Sequence, residues 1–429
     1  MRVFAKSFGC SANLADGNVL AGCLAEAGYE LVDSVSAADT VVYNTCAVKG
    51  PTENRMMEIL RRVPRTKKLI VAGCLPLINF ERLRREVRFD GVVGPAAGDT
   101  IVKIAKQVSN GEKIVDLKEA LHAKPRLDLP RLQSSPVISI IPISYGCLGA
   151  CAYCCVVFAR GQLRSYEVGE IVERVKKDMI LGIKEFWLTG QDTASYGRDF
   201  GTNLAELLEA LCNVEGSFKI RIGMMTPNMV SDIENDLIRV FENEKIFKFI
   251  HLPVQSGHDQ ILKHMRRLYS GEDFKRTVDA FRKTFPDITL ATDVICGFPG
   301  ETKEAFEKTL QLISDVRADI VNISKFFSRP KTAAAQMHKE AVAFSEIKRR
   351  STATAELVKK IAFERNQRWL GWIGEVLFDE VGKKPTSWIG RNFAYKPVVV
   401  NSLDNLLGKI LRVKVVEAFS THLKGTIIE

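Results

Sequence analysis

Tyr145-Gly146-Cys147-Leu148-Gly149-Ala150-Cys151-Ala152-Tyr153-Cys154 sets three thiols at the spacing C-x3-C-x2-C, directly after the apolar run Val137–Ser144 (VISIIPIS). Three thiolates so spaced can wrap one loop around an iron–sulfur cubane, each on a different iron, leaving the fourth iron without a protein ligand. An open iron suits a chelating small molecule. The amino and carboxylate groups of S-adenosylmethionine can fill it, and a sulfonium beside a reduced cluster permits one-electron C–S cleavage to a 5′-deoxyadenosyl radical. A structural zinc site is the alternative. Zinc generally takes four tetrahedral ligands from paired motifs, whereas the six histidines lie elsewhere, His122 nearest, and no second cysteine pair follows.

From Val137 onward strand and helix alternate. Further strands are expected at Glu185–Thr189, Phe218–Gly223, Phe249–Val254, Thr289–Cys296 and Asp319–Phe326, with helices such as Leu204–Leu211 and Phe274–Phe285 between them. Six units are too few for an eight-fold barrel but suit an incomplete (β/α)6 one, whose functional groups sit where strands end. Upstream, residues 1–110 alternate the runs RVFAKSFG, TVVYNT and KLIVAG with helices Ala15–Ala27 and Glu53–Arg62, the pattern of an α/β domain on a parallel sheet. Residues 111–136, punctuated by Pro125, Pro130 and Pro136, read as a linker. The barrel with a long closing helix (about Phe344–Leu370) occupies 137–371, and 372–429 breaks into the short β runs of a small all-β barrel.

A second set of thiols emerges from this topology. Cys10, Cys46 and Cys74 each follow one of the three N-terminal strand runs. Parallel strands bring their carboxyl ends to one edge, so the three are expected to converge on a second cluster with an open iron. Three separately buried structural thiols are the alternative. Cys23, Cys212 and Cys296 sit inside helices or a strand and read as packing residues.

Ten cysteines in 429 residues without a secretory leader at Met1–Ser7 point to metal or redox chemistry in a reducing compartment, not to a disulfide framework. No run approaches the ~20 apolar residues of a membrane span, so a cytoplasmic protein with no membrane partner is expected. The net charge of +10 suits a polyanionic partner. Glu58–Arg88 holds nine basic against three acidic residues and Phe344–Gly371 seven against three; such runs are usually solvated faces.

The chain resembles the radical S-adenosylmethionine methylthiotransferases along nearly its whole length. The resemblance rests on Ser7-Phe8-Gly9-Cys10, Asn44-Thr45-Cys46-Ala47-Val48-Lys49, Ala72-Gly73-Cys74, the Cys147–Cys154 loop, His251–Gly257 and Thr292–Thr302. Ala159–Gly161 with Ser165-Tyr166, and Trp187–Thr193 with Tyr196–Asp199, are similar to the archaeal and eukaryotic tRNA branch. It implies a cluster domain, a radical barrel and a C-terminal TRAM module for RNA. It also implies two 4Fe-4S clusters, S-adenosylmethionine as methyl donor and radical source, and methylthio transfer to C2 of N6-threonylcarbamoyladenosine at tRNA position 37. The tRNA anticodon arm and an electron donor such as a ferredoxin or flavodoxin are the implied partners. Tyr153 is expected against the cofactor adenine.

Strand-end polar residues Gln191, Gln255 and Asp293, with Gly190 and Gly297 for close backbone approach, are the expected cofactor contacts. Arg160, Arg266 and Arg267 are the expected contacts to the anticodon arm. Two positions depart from the family pattern: Cys155 is an extra thiol, and Lys331 stands where Gly is expected. A methylthiotransferase for another tRNA base or a ribosomal protein, and a non-enzymatic zinc-containing RNA-binding protein, are the competing readings.

Overall fold

The computed structural model describes residues 1–118 and 120–428. Glu119, within the expected linker, and Glu429, at the end of the expected C-terminal barrel, lie outside the described residues.

The strand runs of the N-terminal segment form where the sequence is apolar on both faces: all six residues of Thr40–Thr45 are buried. They build a six-stranded, wholly parallel sheet in the order Glu30–Leu31, Arg2–Ser7, Thr40–Thr45, Lys68–Gly73, Gly91–Val93, Ile114–Asp116. The last strand falls inside the stretch expected to be linker. Its apolar content is only two residues, too short to stand out from the surrounding polar sequence, and pairing with Gly91–Val93 is what makes it a strand.

Six parallel strands of the middle segment lie at the expected places: Ile138–Pro142, Glu185–Thr189, Lys219–Ile222, Phe249–His251, Thr289–Cys296 and Ile320–Lys325. They hydrogen-bond as two triplets, joined by single bridges at Ile220–Ile246 and Met224–His251. The result is an arc with Ile138–Pro142 and Ile320–Lys325 as its two edges. The N-terminal domain touches both. Ala15 of helix Ser11–Glu26 packs with Ile138 and Ile140, and Lys49 Nζ donates to Ser324 Oγ at 2.8 Å. One domain thus spans the gap in the other.

The helix Phe344–Gln367 packs over Ile320–Lys325 and leads into a closed five-stranded barrel, Ile373–Ile427. That barrel docks at the starts of the six parallel strands of the middle segment. Lys396 Nζ meets Asp319 Oδ1 at 2.7 Å and Asn366 Oδ1 at 2.9 Å, and Arg365 holds the same carboxylate at 3.0 Å. Tyr395 packs on Phe247 and Phe249. The basic runs are largely consumed by such pairing. Arg350 and Arg365 of the long helix are ion-paired to Glu301 and Asp319, and Arg61, Arg82 and Arg85 all pair with Glu86.

Burial works to raise the Asp319 pKa, but the Lys396 and Arg365 charges outweigh it and hold the carboxyl below its ordinary value. Its stabilising contribution is complete above the unfolded value near 3.9 and is lost as pH falls through the depressed folded value. Asp319→Asn leaves two buried cations unmatched and is expected to cost roughly 3 kcal/mol at pH 7, read from urea unfolding. The wild-type advantage should vanish in acid; an equal advantage at pH 3 and pH 7 contradicts the ion-pair account.

Candidate active site between two cysteine sets

Strand register sets the N-terminal cysteines at one edge of the sheet. Thr45 pairs with Gly73, so Cys46 and Cys74 leave adjacent strand ends, and Cys74 N–H donates to Thr45 O at 3.0 Å. Gly73 has φ +95, and a Cβ there would stand 2.2 Å from Thr45 O; only glycine allows this approach. Two buried asparagines tie in the Cys10 loop. Asn13 Nδ2 donates to Asn44 Oδ1 at 3.0 Å and to Thr45 O at 3.2 Å, and Asn44 Nδ2 donates to Asn13 O at 2.7 Å. Cys10 precedes helix Ser11–Glu26 and is exposed, whereas Cys46 and Cys74 are buried.

The second loop closes in the same manner. Gly146 has φ +76, its Cβ position would lie 1.8 Å from Gln162 O, and Cys147 N–H donates to Gly161 O at 3.1 Å. The thiols of Cys147 and Cys151 flank Gly149, at 3.3 and 3.5 Å from where its Cβ would be. A side chain there would fill the space both sulfurs face. Among the described residues no three His, Cys, Asp or Glu side chains form a group that could hold a metal ion. Burial pushes the Cys74 thiol up to about 12 and Cys147 to about 11, and raises Cys46 and Cys154, with the neighbouring thiols of each set adding to the rise. Thiols in this state ionise when an iron cation replaces the proton. Two sets of three soft sulfur donors fit iron–sulfur clusters.

A pocket of about 310 Å³ lies between Cys154 and the loop that follows Cys46. Cys154, Tyr153, Gln255 and Asp293 line it from the barrel, and Val48 and Lys49 line it from the loop after Cys46. Tyr153 stands edge-on to Phe298 with ring centres 6.4 Å apart. His251 Nε2 lies 3.2 Å from Asp293 Oδ2, and Asn322 Nδ2 donates to Asp293 Oδ1 at 2.7 Å. Burial favours a neutral Asp293, yet His251, Asn322 and the Lys49 charge hold its pKa below the ordinary range. A larger cleft of about 910 Å³ runs along the outer side of the loop, lined by Cys151, Cys154, Arg266 and Lys331. Lys331 has φ +64, the left-handed backbone that explains why glycine is the expected residue there.

The Gly297 Cβ position falls 2.3 Å from Ile347 Cγ1, so its missing side chain makes room for the long helix. Gly190 and Gln191 lie outside the pocket that holds Gln255 and Asp293, and the Gly190 Cβ position abuts Ser144 Oγ at 2.9 Å. Arg160 is no surface contact: it is 3% exposed and pairs with Asp16 at 2.6 Å. Arg267 turns inward, its Nη1 3.4 Å from Cys151 Sγ. Arg266 alone of the three is exposed and faces the cleft. The loop after Cys154 turns back on the N-terminal domain, which the numbering of Arg160 gave no means to see.

Other residues of the site carried no motif. Arg329 Nη2 donates to Ala47 O at 2.6 Å and to Glu53, which also holds Arg82. Asp16 accepts from Arg160 and from the Tyr145 hydroxyl, two residues before Cys147. The available signal was the polar Asn13 and Asp16 on the buried face of an apolar helix.

Three family models cover the chain: the Radical SAM superfamily at residues 141–313, the Uncharacterized protein family UPF0004 at 2–94 and the TRAM domain at 368–428. Enzymes of the first use S-adenosylmethionine with a 4Fe-4S cluster. The chain is 39% identical, over the full length of both, to the "Probable threonylcarbamoyladenosine tRNA methylthiotransferase" of Pyrococcus horikoshii. It is 33% identical to the "Threonylcarbamoyladenosine tRNA methylthiotransferase" of Homo sapiens, across 99% of this chain and 73% of that one. Among solved structures, the radical S-adenosylmethionine methyltransferase TsrM of Kitasatospora setae, with cobalamin and a [4Fe-4S] cluster bound, shares the fold at TM-score 0.56 and 15% identity, covering 78% of this chain and 73% of that one. Full-length identity of this degree, on a chain whose three regions match in order, means that it belongs to the radical S-adenosylmethionine threonylcarbamoyladenosine tRNA methylthiotransferase family.

Proposed function

We propose that the chain converts N6-threonylcarbamoyladenosine at position 37 of tRNA to its 2-methylthio derivative. The observation that carries this reading is the pocket lined jointly by Cys154 and by the Val48-Lys49 loop that follows Cys46. Residues at such a junction can bring a group held by one cysteine set to a carbon activated at the other.

In this reading Cys147, Cys151 and Cys154 hold one 4Fe-4S cluster, and Cys10, Cys46 and Cys74 hold a second. When bound, these clusters and S-adenosylmethionine supply a carbon radical and an iron-held sulfur, the chemistry needed at an unactivated C2–H bond. The chain's own residues bind, orient and enclose. Asp293, kept ionised by His251 and Asn322, accepts hydrogen bonds from the cofactor beside Gln255, and Tyr153 bounds its adenine. Arg267 places a positive charge next to Cys151 and offsets the negative charge of the ligated thiolate. Arg266, on the rim of the outer cleft, meets the anticodon arm. Residues 1–116 then form the sulfur-carrying domain, 137–371 the radical domain and 372–429 the RNA-gripping one. A small redox protein such as a ferredoxin or flavodoxin delivers electrons. No described helix is long and apolar enough to cross a membrane.

Anaerobic preparations are expected to contain about eight irons per chain. Cys147→Ala should abolish 5′-deoxyadenosine formation. Cys46→Ala should spare that cleavage and eliminate methylthio transfer, both read by mass spectrometry of small products and of digested tRNA; a Cys46→Ala chain that still thiomethylates contradicts the sulfur role. Asp293→Asn should weaken S-adenosylmethionine binding about tenfold with iron content unchanged, measured by equilibrium dialysis.

A further inference from the structure

The pocket between Cys154 and the Val48-Lys49 loop has an acidic inner end and a basic mouth. Asp293 pairs with Asn322 and Ile295 with Ser324 in the barrel register. Ser324 therefore lies one side-chain repeat, about 7 Å, nearer the strand ends than Asp293. Lys49 reaches that mouth from the other domain and donates to Ser324 Oγ at 2.8 Å. Lys325 Nζ lies 5.8 Å from the Phe344 ring centre. Neither ammonium comes within 4.0 Å of a carboxylate oxygen among the described residues, although the Lys49 charge is felt at Asp293.

The backbone adds to this field. Lys49 immediately precedes the twelve-residue helix Gly50–Arg61, whose N-terminus has no side-chain cap. Its first-turn carboxylate, Glu53, is turned away onto Arg82 and Arg329. A helix N-terminus beside an ammonium favours an anion. Phe327 forms an adjacent wall, so close to the loop that a Cβ at Gly50 would stand 3.3 Å from it. An aromatic wall beside a cationic mouth suits a purine that carries an acid.

We propose that Lys49, seated on Ser324 at the uncapped helix end, binds the threonyl carboxylate of the N6 substituent and so selects adenosines already carrying it. This rests on the tRNA reading given above. The substituent's chemistry matches: a urea joins N6 to threonine, whose carboxylate is ionised at neutral pH. C2 and C6 of adenine both flank N1, so a base whose C2 faces the cysteine sets carries its N6 group along the same edge. The methionyl carboxylate of S-adenosylmethionine is the other source of this ligand chemistry.

The test uses reconstituted full-length holoenzyme as wild type, Lys49→Gln and Lys49→Arg. Two synthetic anticodon stem-loops are compared, one with N6-threonylcarbamoyladenosine at position 37 and one with its threonyl carboxamide. Fluorescence anisotropy should show wild type preferring the acid by about tenfold in Kd, the scale of one charge-assisted hydrogen bond. Lys49→Gln should erase that preference and Lys49→Arg should keep most of it. S-adenosylmethionine affinity should be unchanged in Lys49→Arg and fall only slightly in Lys49→Gln, where Asp293 loses a neighbouring positive charge. A preference surviving in Lys49→Gln overturns the assignment. So does equal weakening of both stem-loops, which marks a phosphate contact, or lost S-adenosylmethionine affinity, which gives the subsite to the cofactor. If wild type binds the acid stem-loop but never thiomethylates it, the functional reading fails, while the binding preference still decides for or against Lys49.

Discussion

Two buried arginines hold the cysteine-bearing domains in register. Arg160, just after the Cys147–Cys154 loop, inserts its charge beside Asp16 on the helix that begins at Cys10. Arg329, just after the last barrel strand, reaches Ala47 O beside Cys46 and the Glu53 carboxylate. Each joins one cysteine set's surroundings to the other's. Buried pairs of this kind contribute little net stability against an apolar replacement, but losing one partner strands a charge. Their consequence here is geometric: the loops that carry the two thiol sets have one relative placement, with the pocket between them.

That placement follows from an incomplete barrel. A closed ring of strands would leave no edge for another domain, whereas six strands leave two, and the N-terminal domain meets both through Ala15 and Lys49. Parallel topology then aims the carboxyl ends of both sheets at a shared space. The C-terminal barrel docks at the other end, on Asp319 and the strand starts. This division also accounts for the charge distribution, since Arg350 and Arg365 are spent on fastening the long helix and not on a polyanion.

Much of this was legible in the linear chain because its signals are local. Apolar runs buried on both faces announce parallel strands, and C-x3-C-x2-C reads within one loop. The placement of Cys10, Cys46 and Cys74 after successive strands was legible too, once topology was inferred. Arg160 was misread because position after a strand suggests an exposed loop, while the partner that buries it is 144 residues away. At Gly297 a glycine reports that something approaches, and the sequence does not name Ile347 as that neighbour. The edge strand Ile114–Asp116 was invisible because its pairing, not its composition, makes it a strand.

The sequence by itself determined the thiol inventory, the order of the three regions and the parallel strand–helix alternation, since each depends on spacing and hydrophobic period along a short stretch. Tertiary structure decided which polar groups share the pocket, which arginines are spent on ion pairs, and that Lys49 stands at its mouth. Those outcomes depend on charges and carbonyls brought together from segments hundreds of residues apart, where burial turns a weak solvated interaction into a strong constraint on position.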